Sequence, residues 1–155
     1  MAAAERVLAS SQFVLGPEGR ALEADLAALA GARHAVGVGS GTDALRLALS
    51  ALGVARGDEV LTPAFSFVAS ATTIMMTGAR PVFVDVDPET LTMDPEAAAR
   101  ALTPRTRVVM PVHLYGHPAA IDRLAALARP RGLALLEDNA QAVGAVGRSP
   151  PRRLG

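Results

Sequence analysis

The chain has 155 residues, of which 50% are hydrophobic and 19% charged, and its 15 basic and 15 acidic residues give a formal net charge of zero. These values fit one globular domain and exclude a disordered chain, and they give no sign of a nucleic-acid-binding or membrane-binding surface. The absence of cysteine excludes disulfides and zinc–thiolate sites. No secretory signal or membrane-spanning stretch is present, so we expect a cytoplasmic protein. All 15 basic residues are arginine, and the sequence contains no lysine.

Helical and strand patterns alternate along the chain. In order, the sequence predicts helix 18–30, strand 34–38, helix 43–52, a strand from 59 that breaks at Pro63, helix 67–77, strand 81–86, helix 94–102, strand 108–113, helix 118–128 and strand 133–136. Gly31 is expected to end the first helix, and Asp94 followed by Pro95 to begin the fourth. The second helix is apolar nearly all round, which predicts that it is buried.

This alternation favours an α/β fold with a mostly parallel sheet and helices on both faces. Residues 1–145 carry the pattern without an internal linker and are predicted to form a single domain. Residues 146–155 contain two adjacent prolines and no apolar period, so we expect an irregular tail there.

Residues 39–43 (Gly-Ser-Gly-Thr-Asp) join a predicted strand to a predicted helix. Free backbone amides at a helix start attract anions, and glycine lets a ligand approach the backbone closely. The hydroxyls of Ser40 and Thr42 add hydrogen-bond donors suited to a phosphate. Helix capping by Ser, Thr or Asp explains the same residues equally well. The spacing matches neither the dinucleotide fingerprint nor the Walker loop, so both interpretations stay open.

Other chemically distinctive side chains also follow predicted strands. Phe67 in the segment 62–67 can stack on a planar ligand, although core filling is the ordinary role of such a ring. Asp138 in the segment 137–142 can stabilise a protonated ring nitrogen, but it can equally be a cap or one of a solvated acidic pair. A metal site is weakly supported, because no further ligands stand at a suitable spacing. For His113, the expected role is structural hydrogen bonding.

Taken together and in this order, these segments resemble the DegT/StrS-type nucleotide-sugar aminotransferases. The resemblance covers about residues 5–145 and rests on these stretches: 15–18 (Leu-Gly-Pro-Glu), 40–45 (Ser-Gly-Thr-Asp-Ala-Leu), 57–60 (Gly-Asp-Glu-Val), 62–67 (Thr-Pro-Ala-Phe-Ser-Phe), 81–87 (Pro-Val-Phe-Val-Asp-Val-Asp), 111–116 (Pro-Val-His-Leu-Tyr-Gly) and 137–142 (Glu-Asp-Asn-Ala-Gln-Ala). Each motif alone is weak, whereas seven in the right order are specific.

The resemblance implies part of the large domain of the type I fold that binds pyridoxal 5′-phosphate (PLP), in a homodimeric enzyme. It implies transfer of an amino group from an amino donor to a nucleotide-linked keto-sugar. Gly41 and Thr42 match positions that hold the cofactor phosphate, and Phe67 matches the ring that stacks on the pyridine. Asp138 matches the partner of the ring nitrogen, and Gln141 the side chain beside the 3-hydroxyl.

One departure concerns the lysine that forms the Schiff base with PLP in the family. Family members carry it beyond a glycine-rich turn that follows the position of Gly144, and this sequence has none. Arginine cannot replace it, because the guanidinium stays protonated at neutral pH. We therefore assign no catalytic residue and expect a truncated, inactive form of the enzyme. The alternative is a catalytically inactive domain that binds a phosphorylated ligand or a partner subunit.

Overall fold

The computed structural model describes residues 2–146, which contain six α-helices and four β-strands. In chain order these are α1 (Ala2–Ser10), α2 (Pro17–Ala30), α3 (Gly41–Ala51), β1 (Glu59–Pro63), α4 (Val68–Met76), β2 (Arg80–Val84), α5 (Pro95–Ala101), β3 (Thr106–Val109), α6 (Ile121–Ala128) and β4 (Ala134–Leu135). Short 3₁₀ turns occupy Leu114–Gly116 and Arg129–Arg131. Within residues 2–146, no helix combines the length and the apolar character that crossing a membrane requires.

The four strands form one sheet in the order β2-β1-β3-β4, and every neighbouring pair is parallel. Alternate side chains of a strand point to opposite faces of the sheet. Leu61 and Val109 accordingly pack with residues of α5 and α6 on one face. Val60 and Val108 pack with residues of α3 and α4 on the other face. The predicted parallel sheet with helices on both faces is confirmed.

Two predicted helix boundaries are confirmed by their hydrogen bonds. Gly31 ends α2 in the left-handed conformation (φ 67°), where glycine has no steric penalty, and the following amide of Ala32 bonds to the carbonyl of Ala27 at 2.9 Å. The carboxylate of Asp94 accepts from the amides of Glu96 and Ala97 at 3.0 and 3.1 Å. Local sequence therefore sets both ends without help from the core.

Some element predictions are wrong. Residues 34–38 form no strand: no strand within residues 2–146 pairs with them, and the amide of Gly37 instead donates to Oε1 of Glu23 at 2.6 Å. The helix predicted to be buried all round, α3, buries one face through Leu45 and Leu49 and leaves Leu47 exposed. The pattern also failed to indicate α1. The predicted tail, residues 146–155, lies outside the described residues except for Val146.

Glu59 anchors the amino-terminal edge of the sheet, where β1 begins. Its side chain is only 1% exposed, yet its carboxylate is fully engaged. It accepts hydrogen bonds from Arg80 and Thr103, both at 2.6 Å, and from Nε of Arg105 at 2.9 Å. These bonds connect β1 with the start of β2 and with the turn that leads into β3.

Candidate functional site at the carboxyl edge of the sheet

A cavity of about 250 Å³ lies beyond the carboxyl ends of the strands. We call it the strand-exit cavity; it is lined by Gly41, Thr42, Leu45, Phe67, Ala69, Val112, Leu114, Asp138, Ala140 and Gln141. The volume is close to the lower end of the range of small-ligand sites, about 300 Å³. All the residues that the resemblance assigns to the cofactor are in this set, although they come from separate loops and helices. The fold therefore brings the predicted site residues together.

Backbone hydrogen bonds beyond the sheet hold two of these loops in register. The amide of Asp138 donates to the carbonyl of Pro111 at 2.9 Å, and the amide of His113 donates to the carbonyl of Asp138 at 3.0 Å. The loop after β4 thus stays paired with the loop after β3 where the strands have ended. Loops at the carboxyl edge of a parallel sheet are the usual place for a ligand in such folds.

The start of α3 forms one wall of the strand-exit cavity. Ser40 is the helix cap, because its Oγ accepts from the amide of Asp43 at 3.1 Å. The capping interpretation is therefore confirmed for Ser40. Gly41 and Thr42 occupy the first helical turn, where amides have no partner inside the helix. A side chain at Gly41 would meet nothing within 4 Å, so an anion can approach these two amides closely.

The capping role of Ser40 predicts a measurable effect on stability. Ser40→Ala removes the acceptor for the Asp43 amide, so we expect the free energy of unfolding to fall by about 1 kcal/mol. Chemical denaturation measures this loss. The matched control is Ser50→Ala near the end of the same helix, where Ser50 is exposed. Equal losses in the two variants would contradict the capping role.

Phe67 stands on the cavity wall directly before α4. Its side chain is 69% exposed, and that of Phe65 is 47% exposed. Core filling, the ordinary role considered for Phe67, is therefore wrong, and its neighbour Phe65 does not fill the core either. An exposed aromatic face in a cavity is suited to stacking on a planar ligand.

The carboxylate of Asp138 is held by two donors. Oδ1 accepts from the amide of Ala140 at 3.2 Å, and Oδ2 accepts from the hydroxyl of Ser70 at 3.3 Å. The bond to Ala140 is a local cap, as the alternative interpretation expected. A carboxylate oxygen has more than one acceptor site, so both oxygens can still receive a donor from a ligand. Ser70 is not predicted from the sequence, because it lies in an ordinary Ala-Ser-Ala stretch of α4.

Gln141 is fixed by the turn that follows β3. Its Oε1 accepts from the amide of Tyr115 at 2.7 Å. Tyr115 and Gly116 both have positive φ angles (53° and 82°), and this tight turn belongs to the segment that lines the cavity through Leu114. Because the oxygen of Gln141 is engaged, its NH₂ group remains as the donor for a ligand oxygen.

His113 lies beneath the site and is fully buried. Its Nδ1 accepts from the amide of Ala119 at 3.0 Å, so the proton of the neutral ring is on Nε2. Nε2 lies 3.1 Å from Oε2 of Glu137 and donates to it. The expected structural role of His113 is confirmed, since both nitrogens hold neighbouring loops. Within residues 2–146, no group of three or more potential ligands is placed to bind a metal ion.

This arrangement defines an α/β domain with a ligand cavity at the carboxyl edge of a parallel sheet. The sequence matches the DegT/DnrJ/EryC1/StrS aminotransferase family over residues 1–155, and the chain belongs to that family.

Several relatives support this assignment. The chain is 50% identical over 154 residues to dTDP-3-amino-3,4,6-trideoxy-alpha-D-glucose transaminase of Streptomyces venezuelae, covering 99% of this chain and 40% of that protein. The structure of S. venezuelae DesV in complex with a ketimine intermediate has a TM-score of 0.95 at 50% identity, covering 99% of this chain and 41% of that one. The structure of NtdA of Bacillus subtilis was solved with bound cofactor PMP (pyridoxamine phosphate). It has a TM-score of 0.87 at 36% identity, covering 90% of this chain and 32% of that one. The chain thus spans between about a third and two fifths of the length of these relatives.

Proposed function

We propose that residues 1–145 are the cofactor-binding portion of a PLP-dependent aminotransferase that acts on a nucleotide-linked keto-sugar. The observation that carries the proposal is that Gly41, Thr42, Phe67, Asp138 and Gln141 line one cavity. The sugar-nucleotide transaminase from S. venezuelae supports the substrate class, and the PMP-containing relative supports the cofactor. The proposal includes an amino donor and a homodimeric assembly, which rest on the family resemblance. It also includes a cytoplasmic location, which rests on the sequence alone.

The residues around the cavity fit the chemical groups of PLP. The amides of Gly41 and Thr42 and the hydroxyl of Thr42 bind the phosphate at the start of α3. Phe67 stacks on the pyridine ring, and Asp138 pairs with its protonated nitrogen. The NH₂ group of Gln141 donates to the 3-oxygen. When bound, the cofactor supplies an electron sink that is strengthened by the protonated ring nitrogen.

Because the sequence contains no lysine, the chain has no side-chain amine to hold the cofactor covalently. We therefore propose that binding by this chain is non-covalent and that the chain does not transfer amino groups by itself. Proton transfer at the reacting carbon also needs a positioned base, which lysine supplies in the family.

The direct test is a titration of the purified chain with PMP, which has no aldehyde and so cannot react with stray amines. We expect saturable binding with one PMP per chain, followed by the fluorescence of the cofactor. Borohydride reduction after incubation with PLP is expected to leave no cofactor on any internal peptide. An absence of saturable PMP binding would overturn the proposed function.

The phosphate role of Thr42 can be tested separately. Thr42→Val keeps the side-chain shape but removes the hydroxyl, so we expect the affinity for PMP to fall roughly fivefold to tenfold. Pyridoxamine, which lacks the phosphate, is the control ligand, and its weaker binding should not change. Equal weakening of both ligands would mean that Thr42 does not contact the phosphate.

A further inference from the structure

We infer that Ser70 is a positioning residue for Asp138, and that the hydroxyl chain Ser66–Ser70–Asp138 fixes the orientation of the carboxylate in the cavity. The purpose of this orientation rests on the proposed function, in which Asp138 faces the ring nitrogen of the cofactor.

The contact joins two distant parts of the chain. Ser70 lies in α4 and is 1% exposed, and its Oγ is 3.3 Å from Oδ2 of Asp138, which lies 68 residues later in the sequence. The hydroxyl of Ser66, just before α4, is 3.0 Å from the same Oγ. The interaction therefore exists only because α4 packs beside the loop after β4.

The direction of the two hydrogen bonds follows from the chemistry of their ends. An ionised carboxylate only accepts hydrogen bonds, so Ser70 is the donor to Asp138. A serine hydroxyl has one hydrogen, and that of Ser70 is then used. Ser66 must therefore donate to Ser70. This order of donors polarises the hydroxyl of Ser70 toward the carboxylate.

The two carboxylate oxygens of Asp138 are restrained by different parts of the fold. The amide of Ala140 holds Oδ1 from within the loop, whereas Ser70 holds Oδ2 from α4. The local bond alone fixes one oxygen relative to the loop. The hydrogen bond from Ser70 restrains the second oxygen, so the carboxylate of Asp138 keeps a fixed orientation relative to α4 and Phe67.

A second buried hydroxyl in α4, that of Thr73, makes the hydrogen bond that is usual for a hydroxyl inside a helix. Thr73 is buried too, but its hydroxyl bonds to the carbonyl of Ala69 in its own helix at 2.8 Å. The hydroxyl of Ser70 instead reaches out of the helix to the site. Thr73→Val is therefore a matched control: it removes a buried hydroxyl from the same helix without touching Asp138.

The test measures the side-chain torsion of Asp138 in the chain without cofactor, from three-bond NMR couplings to its Cγ. The wild type and Thr73→Val are expected to give couplings of a single rotamer, and Ser70→Ala averaged couplings. Alanine is the best helix former and differs from serine by one oxygen, so the fold is retained. Ser66→Ala is expected to give a smaller change in the same direction. Unchanged couplings in both serine variants would overturn the inference.

PMP binding gives a second readout. Ser70→Ala is expected to weaken PMP roughly fivefold, with the ¹⁵N signal of the labelled ring nitrogen shifted toward its unprotonated position, while Thr73→Val matches the wild type. An unchanged affinity and ring signal in Ser70→Ala would also overturn the inference. If the wild type itself binds no PMP, the proposed function fails, whereas the couplings still decide whether Ser70 orients Asp138.

Discussion

Replacing Glu59 with glutamine is expected to lower the free energy of unfolding at pH 7 by about 1 to 2 kcal/mol. The hydrogen bond from Thr103, together with those from Arg80 and Arg105, lowers the pKa of Glu59 from 4.5 to about 2. A shift of this size corresponds to roughly 3 kcal/mol of preference for the charged form. Both guanidinium groups are largely exposed, so solvent screening reduces the expected loss.

The same shift predicts how stability depends on pH. The carboxyl has a lower pKa in the folded than in the unfolded chain, so its contribution is complete above about pH 4.5 and is lost as the pH falls toward about 2. The difference in the free energy of unfolding between the wild type and Glu59→Gln should therefore shrink as the pH falls from 7 to 2.5, as measured by denaturation curves. The control is Glu96→Gln, whose partner Arg123 is exposed like Glu96 itself. A constant difference across this range would contradict the role of the Glu59 charge.

Those parts of the fold that depend on local sequence could be predicted. Gly31 and Asp94 set helix ends through bonds to their own neighbours, and the alternation of helices and strands led to the parallel sheet. Local sequence could not show that residues 34–38 form no strand. An apolar run becomes a strand only when another strand lies beside it, and within residues 2–146 none pairs with this one.

The candidate site was predictable for a different reason. The family resemblance assigned its residues, and a parallel sheet brings the loops after its strands to one edge, which places Phe67 after β1 and Asp138 after β4. Thr42 follows no strand, and it reaches the cavity at the start of α3. The support around them was not predictable. Ser70 is an ordinary helical serine in sequence, and it reaches Asp138 only through the packing of α4. The exposure of Phe67 likewise depends on which surfaces the fold leaves open.

The largest effect on ligand binding is expected at Asp138. Asp138→Asn keeps the size of the side chain but removes its charge, so the protonated ring nitrogen of the cofactor loses its counter-ion. A hydrogen bond to a charged group is worth more than a neutral one, and the affinity for PMP should fall roughly tenfold to a hundredfold. Bound PMP, where detectable, should carry an unprotonated ring nitrogen.

Fluorescence titration with PMP measures this change, with Asp122→Asn on the exposed side of α6 as the charge-matched control. The control removes the same charge from the chain, so a change caused only by the net charge would appear in both variants. A loss confined to Asp138→Asn locates the effect at the ring nitrogen. Equal affinities for the wild type and Asp138→Asn would instead mean that the ligand lies in the cavity without contacting this carboxylate, because the loss of a charge-assisted hydrogen bond weakens binding.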